Sequence, residues 1–322
     1  MKAIRADAPG GSETLRLVDV PEPRPREGEA LVRIEAAGIN FIDTYHRSGA
    51  YAARFPLLPG QEGAGAVVEI GAGVSEVRVG DRVAFASGPG TYAELVALPA
   101  ARLVVVPEGV TTRQAAAVML QGMTAHYLAT STYPLGPDDT CLVHAAAGGV
   151  GLLLCQLAKS RGARVFGTVS TEEKARRARE AGADQTIHYT TEDFGAETRR
   201  LTGGEGAQVV YDGVGRDTFE KSLDALAVRG TMVLFGQASG AVPPFDAQLL
   251  SRKGSLYLTR PTLAHYTRTR EELLERATDV LGRVAAGKLS VRIFRELPLA
   301  EAAEAHRLLE SRRTSGKLLL IP

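Results

Sequence analysis

The segment 141–151 contains the residues whose types and spacing point most clearly to a chemical role. It reads CLVHAAAGGVG, a short aliphatic strand pattern followed by a turn of alanine and glycine that opens a helical stretch. Glycine at 148 and 149 lets backbone amides approach a diphosphate, and glycine at 151 lets helix and strand pack closely. The helix N-terminus adds unpaired N–H groups and partial positive charge. A turn shaped by packing alone would leave the three small residues before the glycines unexplained. The predicted contacts to a dinucleotide pyrophosphate are Ala147, Gly148, Gly149, Val150 and Gly151.

The residues after the next strand indicate which dinucleotide binds. An acidic side chain about 20 residues beyond the glycine turn bonds the ribose 2′-hydroxyl of NAD. Here the strand ends in Ser170 instead, and Lys174 lies one helical turn further on. A small hydroxyl leaves room for a 2′-phosphate and the lysine offers it a counter-charge, so we expect NADPH. Glu172 and Glu173 favour NADH, unless they serve only the helix N-terminus.

The elements around this turn alternate between short aliphatic strands and helices. The predicted strands are 140–145, 163–169, 185–189, 208–211, 231–235 and 255–259, and the helices are 149–161, 171–181, 192–202 and 217–227. Strands joined by crossover helices predict a doubly wound parallel sheet of the Rossmann type. Ligands bind such sheets at the carboxyl ends of the strands.

The remainder of the chain has a different pattern. Short β segments punctuated by Gly and Pro are predicted at 30–36, 64–70, 81–85, 92–97 and 103–106, before a helix from about 111 to 129. Two amphipathic helices at 271–286 and 300–311 precede a strand at 317–321. We expect this tail to return to the first domain, which gives a β-rich domain of 1–122 completed by 265–322, and a second domain of 123–264.

Composition excludes several classes of protein. A chain of 322 residues is too long for a single hydrophobic core, so we expect two domains. Its 38 Lys and Arg residues nearly balance its 37 Asp and Glu residues, so the protein has no large net positive charge that would bind nucleic acid. The N-terminus lacks a signal peptide's apolar core and no long apolar run occurs, so we expect a cytoplasmic protein without a membrane span. The two cysteines, Cys141 and Cys155, are expected to be buried thiols.

Several motifs in order resemble the medium-chain dehydrogenase/reductase superfamily, and most closely its zeta-crystallin-like NADPH:quinone oxidoreductases. They are AGINFIDTY at 37–45, PGQEGAG at 59–65, VGDRV at 79–83, the glycine turn, and SRRTSGK at 311–317. The resemblance spans essentially the whole chain. It implies a GroES-like catalytic domain at 1–122, completed by 265–322, and a Rossmann NADPH-binding domain at 123–264.

Zinc-dependent members of this superfamily place metal ligands at positions that correspond to Asn40, Gln61 and, less surely, Gln121. Neutral amides are poor zinc ligands, and the cysteine-rich loop of the structural zinc is absent, so no metal is expected. Without zinc, the protein lacks the Lewis acid that usually polarises the substrate oxygen in alcohol oxidation. Hydride transfer to an electron-poor acceptor such as a quinone needs less from the protein.

The resemblance also implies a set of site residues. Asn40, Tyr45, Tyr51 and Gln61 would line a cleft between the domains and bond the acceptor oxygen or the nicotinamide ribose, although each tyrosine also suits packing at a domain edge. No single side chain is expected to be an essential proton donor. The implied cofactor contacts beyond the turn, Ser170 and Lys174 are Phe41, Ile42, Asp43, Thr44, Tyr45, Tyr189, Gly213, Phe235, Gly236, Leu258, Thr259, Arg260 and Arg312. Tyr189 would flank the adenine ribose phosphate, and His144 is expected to be structural.

The leading hypothesis is therefore an NADPH-dependent quinone reductase. The alternative on the same scaffold is reduction of an activated carbon–carbon double bond in an enone or enoyl thioester. A third hypothesis, a non-catalytic cofactor-binding or RNA-binding protein, is disfavoured by the near-neutral charge and the lack of an aromatic and basic stripe. By resemblance, a homodimer would form through the edge strand near 253–260.

Overall fold

The computed structural model describes residues 1–86, 88 and 90–322. The chain divides into two compact units. Unit 1 is Met1–Met123 together with Thr267–Pro322, and unit 2 is Thr124–Tyr266. Unit 2 is therefore one continuous stretch of chain, whereas unit 1 is built from two.

The elements run in chain order as follows. The strands are β1 Lys2–Arg5, β2 Arg16–Asp19, β3 Glu29–Ile39, β4 Glu62–Ile70, β5 Arg82–Phe85, β6 Leu95–Pro99, β7 Val104–Val105, β8 Thr140–Val143, β9 Arg164–Val169, β10 Gln185–His188, β11 Ala207–Asp212, β12 Leu226–Leu234, β13 Tyr257–Thr259, β14 Ile293–Pro298 and β15 Lys317–Ile321. The helices are α1 Phe41–Ser48, α2 Thr112–Tyr127, α3 Gly149–Ser160, α4 Glu172–Glu180, α5 Phe194–Leu201, α6 Phe219–Ala225, α7 Gln248–Arg252, α8 Leu263–Tyr266, α9 Arg270–Ala285 and α10 Ala302–Glu310.

Unit 1 is organised around a mixed sheet in the order β14-β15-β3-β4-β5-β7, with β6 also paired to β3. The last strand, β15, pairs antiparallel with β3 and sets Leu319 opposite Gly38. Alternate residues of β3, β5 and β15 fill the core, where Val32, Phe85 and Leu320 are fully buried. The tail thus completes the sheet that begins near the N-terminus.

Unit 2 is built on a sheet in the order β10-β9-β8-β11-β12-β13, in which every pair is parallel. The chain moves outward from β8 to β10, then returns and moves the other way from β11 to β13. The predicted doubly wound fold is confirmed, and its topological switch point lies between β8 and β11, where such sheets bind ligands. Cys141 and Cys155 are buried free thiols in this unit, and burial raises the pKa of Cys155 to about 12.

Some predicted boundaries were wrong. Helix α1 and strands β1, β2 and β14 were not predicted, and the strand expected at 92–97 runs from Leu95 to Pro99. The helix predicted to reach residue 227 ends at Ala225, and β12 begins at once with Leu226 rather than at 231. The sequence VRG at 228–230 looks like a turn, but Arg229 adopts a φ of 62° within the strand and its N–H donates to the Gly254 carbonyl.

Candidate active site

The glycine turn lies at the end of β8, at the switch point of the parallel sheet. It is closed by the Gly148 N–H, which donates to the Ala145 carbonyl at 2.7 Å, and Ala145 adopts a φ of 50°. Helix α3 then starts at Gly149, and its N-cap, Gly148, offers no side chain to the first N–H groups. Those groups precede the hydrogen bonds of the helix itself and are available to an anion.

Small residues are required because the turn packs closely on the helix and on β9. A Cβ built on Gly151 would lie 2.3 Å from the Ala145 carbonyl oxygen and 2.8 Å from Cα of Ala146. A Cβ on Gly167 of β9 would lie 2.6 Å from the methyl group of Ala146. These positions have no room for a side chain, so only glycine fits there. A glycine turn of this kind lets the backbone approach a diphosphate closely, and the residues present therefore fit that group.

His144 directly precedes the turn, and its side chain is buried. Its Nδ1 lies 3.0 Å from Oγ1 of Thr168 and its Nε2 lies 2.8 Å from Oγ of Ser222, so both ring nitrogens are used within the protein. Burial lowers the pKa of His144 and favours the neutral ring. These contacts agree with a structural role.

The residues predicted to select the ribose 2′-phosphate gather at the carboxyl end of β9. Ser170 follows the strand and is half-buried, and the Tyr189 N–H donates to the Val169 carbonyl at 3.2 Å. Thr171 caps α4 by accepting from the Lys174 N–H at 3.3 Å. Burial lowers the pKa of the Lys174 ammonium, and the Glu173 charge acts in the opposite direction.

One of the two carboxylates that favoured NADH, Glu172, has other neighbours. Glu172 pairs with Arg179 and lies 3.3 Å from Nε2 of His188. The hydrogen bond from Arg179 is the main cause that lowers the pKa of Glu172. Glu172 thus lies against Arg179 and His188, and the Arg179 charge offsets that of the carboxylate.

A second group of predicted cofactor residues meets at the ends of β11 and β12. The Phe235 N–H donates to the Asp212 carbonyl at 2.8 Å, and a Cβ on Gly213 would lie 2.9 Å from the Phe235 ring. A Cβ on Gly236 would lie 2.5 Å from the Gly213 carbonyl oxygen. Leu258 and Thr259 lie on the adjacent strand β13, and Arg260 follows it at the surface.

In unit 1, Asn40 lies in a buried cluster of polar side chains. Its Oδ1 accepts from Nζ of Lys317 at 2.7 Å and from Nε2 of Gln121 at 3.2 Å, while its Nδ2 donates to Oε2 of Glu62 at 2.7 Å. Lys317 also donates to Oε2 of Glu62 at 2.5 Å, and the Leu120 N–H donates to the other oxygen of that carboxylate. Both ends of the Asn40 amide are therefore bonded inside unit 1.

Asp43 links the start of α1 to a second buried cluster. Its Oδ2 accepts the Asn40 N–H at 2.8 Å and the Tyr92 hydroxyl at 3.0 Å. The Tyr92 oxygen lies 3.1 Å from Nε2 of His306, whose Nδ1 lies 3.0 Å from Arg47. Burial raises the pKa of Asp43 to about 7, whereas burial and the Arg47 charge lower the pKa of His306 to about 3.

The aromatic residues of the predicted acceptor site cluster on α1 and the loop after it. The ring centroids of Tyr45 and Tyr51 lie 5.1 Å apart, and those of Phe41 and Tyr45 lie 6.3 Å apart. All three side chains are half-buried, which leaves ring surface open. Gln61, also half-buried, directly precedes β4.

Other predicted residues lie elsewhere in unit 1. Thr44 is buried and donates to the Phe41 carbonyl at 2.7 Å, so its hydroxyl serves the helix. Ile42 is half-buried on the same helix, and Arg312 is exposed just after α10 with a φ of 58°. The structure therefore brings Asn40, Gln121 and Asp43 together in one hydrogen-bonded region.

Sequence reasoning missed the buried polar residues at the centre of this region: Glu62, Lys317, Tyr92, His306 and Arg47. Glu62 and Lys317 lie inside the motifs PGQEGAG and SRRTSGK, which carry the family resemblance as whole strings and assign no role to either residue. The available signal was position, because Lys317 opens the apolar strand KLLLI and Glu62 opens β4. An isolated charge at the start of a buried strand indicates a buried partner.

In the part of the chain that the structure describes, no group of three or more His, Cys, Asp or Glu side chains is placed to hold a metal ion. Asn40 Oδ1, at a position compared with a zinc ligand, accepts from an ammonium group instead. None of the described helices is both long enough and apolar enough to cross a membrane.

Comparisons with known proteins assign this architecture to a family. The model described as "Alcohol dehydrogenase GroES-like domain" matches residues 26–108, and the one described as "Zinc-binding dehydrogenase" matches residues 149–279. The chain is 49% identical to the quinone oxidoreductase of Pseudomonas aeruginosa, over 100% of this chain and 99% of that one. It is 41% identical to the 2-haloacrylate reductase of a Burkholderia species, over 97% and 96% of the two chains.

A solved structure agrees. The crystal structure of Escherichia coli quinone oxidoreductase complexed with NADPH matches with a TM-score of 0.98 and 45% identity, over 100% of both chains. The GroES-like unit and the parallel sheet with its glycine turn define an oxidoreductase of the medium-chain dehydrogenase/reductase class. Within that class, the chain belongs to the quinone oxidoreductase family.

Proposed function

We propose that this protein is an NADPH-dependent quinone oxidoreductase that reduces its acceptor by direct hydride transfer without a metal ion. The observation that carries the proposal is the glycine turn at the switch point of the parallel sheet, where a Cβ on Gly151 would lie 2.3 Å from the Ala145 carbonyl oxygen. Relatives named quinone oxidoreductases, one of them complexed with NADPH, support it.

Unit 2 holds the dinucleotide in this proposal. The N–H groups of residues 149–151 at the start of α3 bind the pyrophosphate, and Ala147 and Gly148 contact it from the turn that leads into the helix. Gly213, Phe235 and Gly236 contact the nicotinamide half at the ends of β11 and β12. Leu258, Thr259 and Arg260 extend this contact on and beyond β13.

The 2′-phosphate of NADPH is recognised by Ser170, Lys174 and Tyr189. Ser170 leaves space and donates its hydroxyl, and Lys174 supplies the positive charge that a phosphate dianion needs. Because the Arg179 charge offsets that of Glu172, this carboxylate does not cancel the attraction. The same set of residues disfavours NADH, which offers no phosphate to the lysine.

Unit 1 receives the acceptor. Bound NADPH supplies the hydride, and the complete reaction converts the quinone, NADPH and one proton into the hydroquinone and NADP⁺. The hydroxyls of Tyr45 and Tyr51 and the amide of Gln61 donate to the acceptor oxygen as negative charge develops on it. Asn40 has its side-chain donors committed to Glu62 and the Gly38 carbonyl, so we assign it to positioning rather than to contact with the acceptor.

The remaining assignments complete the proposal. Residues 1–122 with 265–322 form the catalytic domain, and 123–264 form the NADPH-binding domain. Phe41 to Tyr45 and Arg312 contribute further cofactor contacts. The protein acts in the cytoplasm as a homodimer joined through the edge strand near 253–260.

An acceptor screen tests the function. Purified protein is assayed with NADPH and with NADH against a benzoquinone, a naphthoquinone, an acyclic enone and a 2-haloacrylate. We expect quinones to be reduced with NADPH at the highest kcat/KM. Turnover of the enone or the haloacrylate without turnover of quinones would contradict the proposal and favour the alkene reductase alternative, as in the Burkholderia relative. Metal analysis of the active protein after chelation checks that zinc is not required.

A further inference from the structure

The ion pair of Lys317 and Glu62 lies at the centre of unit 1. Its two side chains are 1% and 0% exposed, and Nζ lies 2.5 Å from Oε2. A buried ion pair is weak evidence for stability, because desolvation of both charges offsets most of their attraction, and an apolar pair of similar volume often stabilises a fold equally well. The pair therefore calls for an explanation other than stability.

The contacts of the pair provide one. An Asn side chain carries an oxygen and an NH₂ group of nearly the same shape, so only its partners determine which way it faces. At Asn40 the two donors Lys317 and Gln121 hold the oxygen, and the carboxylate of Glu62 holds the NH₂ group. Lys317 and Glu62 impose opposite requirements on the two ends of the amide, which leaves a single orientation.

Asn40 is also the N-cap residue of α1, directly before the first helical residue. Its backbone N–H donates to Asp43 at 2.8 Å, and the helix that follows carries Phe41 and Tyr45. Lys317 comes from β15 and Glu62 from β4, so the strands of the sheet reach the start of this helix through the Asn40 side chain. The contacts that hold the Asn40 side chain therefore also position the first turn of α1.

We propose that Lys317 is a positioning residue for reduction of the acceptor: paired with Glu62, it fixes the Asn40 amide and the start of α1, and thereby the place of Tyr45. This inference rests on the proposed function. The Lys317 side chain is 1% exposed, and its ammonium is bonded to Asn40 and Glu62. Its ammonium acts through Asn40.

The experiment separates positioning from stability with three variants: Lys317→Met, Glu62→Gln, and the two combined. Thermal unfolding reports the fold, the Kd for NADPH reports cofactor binding, and kcat/KM for a naphthoquinone reports the acceptor site. Lys317→Met leaves a buried carboxylate without its counter-charge, so its Tm should fall. The double variant removes both charges and should recover most of the Tm. In it the Asn40 amide loses its ammonium donor and its carboxylate acceptor and keeps only neutral partners, Gln121 and the Gly38 carbonyl. We therefore expect kcat/KM to stay about tenfold or more below wild type, and the Kd for NADPH, most of whose proposed contacts lie in unit 2, to rise by less.

Recovery of kcat/KM together with Tm in the double variant would overturn the proposal and leave an ion pair of structural value only. If the double variant does not fold, Glu62→Gln decides. Lys317 still donates to Asn40 there, so a smaller loss of kcat/KM per folded molecule than in Lys317→Met supports positioning, and an equal loss overturns it. The matched control is Lys221→Met, which breaks an exposed pair with Asp193 and should change neither quantity.

Two readouts keep this inference distinct from the proposed function. The wild-type acceptor screen tests the function alone, and the ratio of variant to wild type is measured with whichever acceptor is reduced. The side-chain amide signals of Asn40 in ¹⁵N-labelled protein, assigned by comparison with Asn40→Asp, need no acceptor. They should shift in the double variant and not in Lys221→Met, and unchanged signals would overturn the inference.

Discussion

The Tyr92 hydroxyl donates a 3.0 Å hydrogen bond to the same Asp43 oxygen, Oδ2, that accepts the Asn40 N–H. Within the described residues, the other oxygen of Asp43 has no hydrogen-bond partner. A carboxylate that is fully buried with one oxygen unpartnered holds its proton strongly, which is why the pKa of Asp43 is raised to about 7. The start of α1 therefore depends on a group that titrates near neutral pH.

The first prediction concerns pH and stability. Because the pKa of Asp43 is about 7 in the folded protein and near the ordinary value of 3.8 in the unfolded chain, the unfolded chain releases this proton at lower pH. The contribution of Asp43 to stability is thus fully present below about pH 4 and is lost as the pH rises toward 7. Asp43→Asn keeps an oxygen for both donors and cannot ionise. We expect the difference in unfolding free energy between Asp43→Asn and wild type to shift in favour of the variant by about 1 kcal/mol or more from pH 5 to pH 8. Urea unfolding at each pH measures this difference. A constant difference across that range would contradict the assignment.

The second prediction concerns selection of NADPH. Lys174→Ala should raise the Kd for NADPH about tenfold or more and leave the Kd for NADH within about twofold, because only the 2′-phosphate meets the lysine. Arg176→Ala is the control on the same helix, since Arg176 pairs with Glu180 at the surface. Isothermal titration with both dinucleotides measures the effect. An equal loss for NADH would show that Lys174 acts on the fold rather than on the phosphate.

The third prediction concerns the glycine turn. Gly151→Ala places a methyl group within 2.3 Å of the Ala145 carbonyl oxygen, so the turn must distort and NADPH affinity should fall about tenfold or more. Gly282→Ala in α9 is the matched control, because a Cβ there meets nothing within 4 Å. That control should keep full affinity and gain up to about 1 kcal/mol in unfolding free energy. Unchanged affinity in Gly151→Ala would remove the turn from the cofactor site.

The fourth prediction concerns the acceptor. Tyr45→Phe and Tyr51→Phe keep the ring packing at 5.1 Å and remove only the hydroxyls. If each hydroxyl donates to the developing oxyanion without being an essential acid, each variant should lose about three- to tenfold in kcat/KM for a quinone. NADPH affinity should not change in Tyr51→Phe. A loss of about a thousandfold in either variant would instead identify a proton donor.

The fifth prediction concerns assembly. Strand β13 pairs with β12 at the edge of the sheet in unit 2, and Tyr257 on it is 64% exposed. If the dimer forms through this edge, Tyr257→Asp should shift the protein from dimer to monomer in light scattering after gel filtration. Leu17→Asp, at an exposed position of β2 in unit 1, is the control and should leave the mass unchanged. A wild-type monomer at micromolar concentration would contradict the proposed homodimer.

The sequence was most informative where one local pattern determines both structure and function. The turn 141–151 and the strands around it carry their own periodicity and glycines, so the doubly wound sheet and the phosphate site could be predicted together. The polar core of unit 1 could not. Asn40, Glu62 and Lys317 meet across 277 residues of sequence separation between the first and the last, and no local pattern encodes such a contact.

Short elements were missed for a related reason. Helix α1 has eight residues and starts inside a motif that was interpreted for its chemistry, and β14 is exposed over much of its length, which weakens its apolar alternation. The start of β12 at Leu226 was not predicted, because Arg229 adopts a left-handed conformation that is typical of turns. In each case tertiary pairing outweighs local preference.

The division of unit 1 into two stretches of chain has a consequence for biosynthesis. During translation, every residue of unit 2 has been made once Tyr266 leaves the ribosome, so its parallel sheet can fold while the chain is still growing. Strand β3 must wait for β15, and Glu62 remains without its lysine until Lys317 emerges. We therefore expect nascent chains that have exposed residues 1–266 but not yet synthesised β15 to resist protease across 124–266 and to be cut within 1–123.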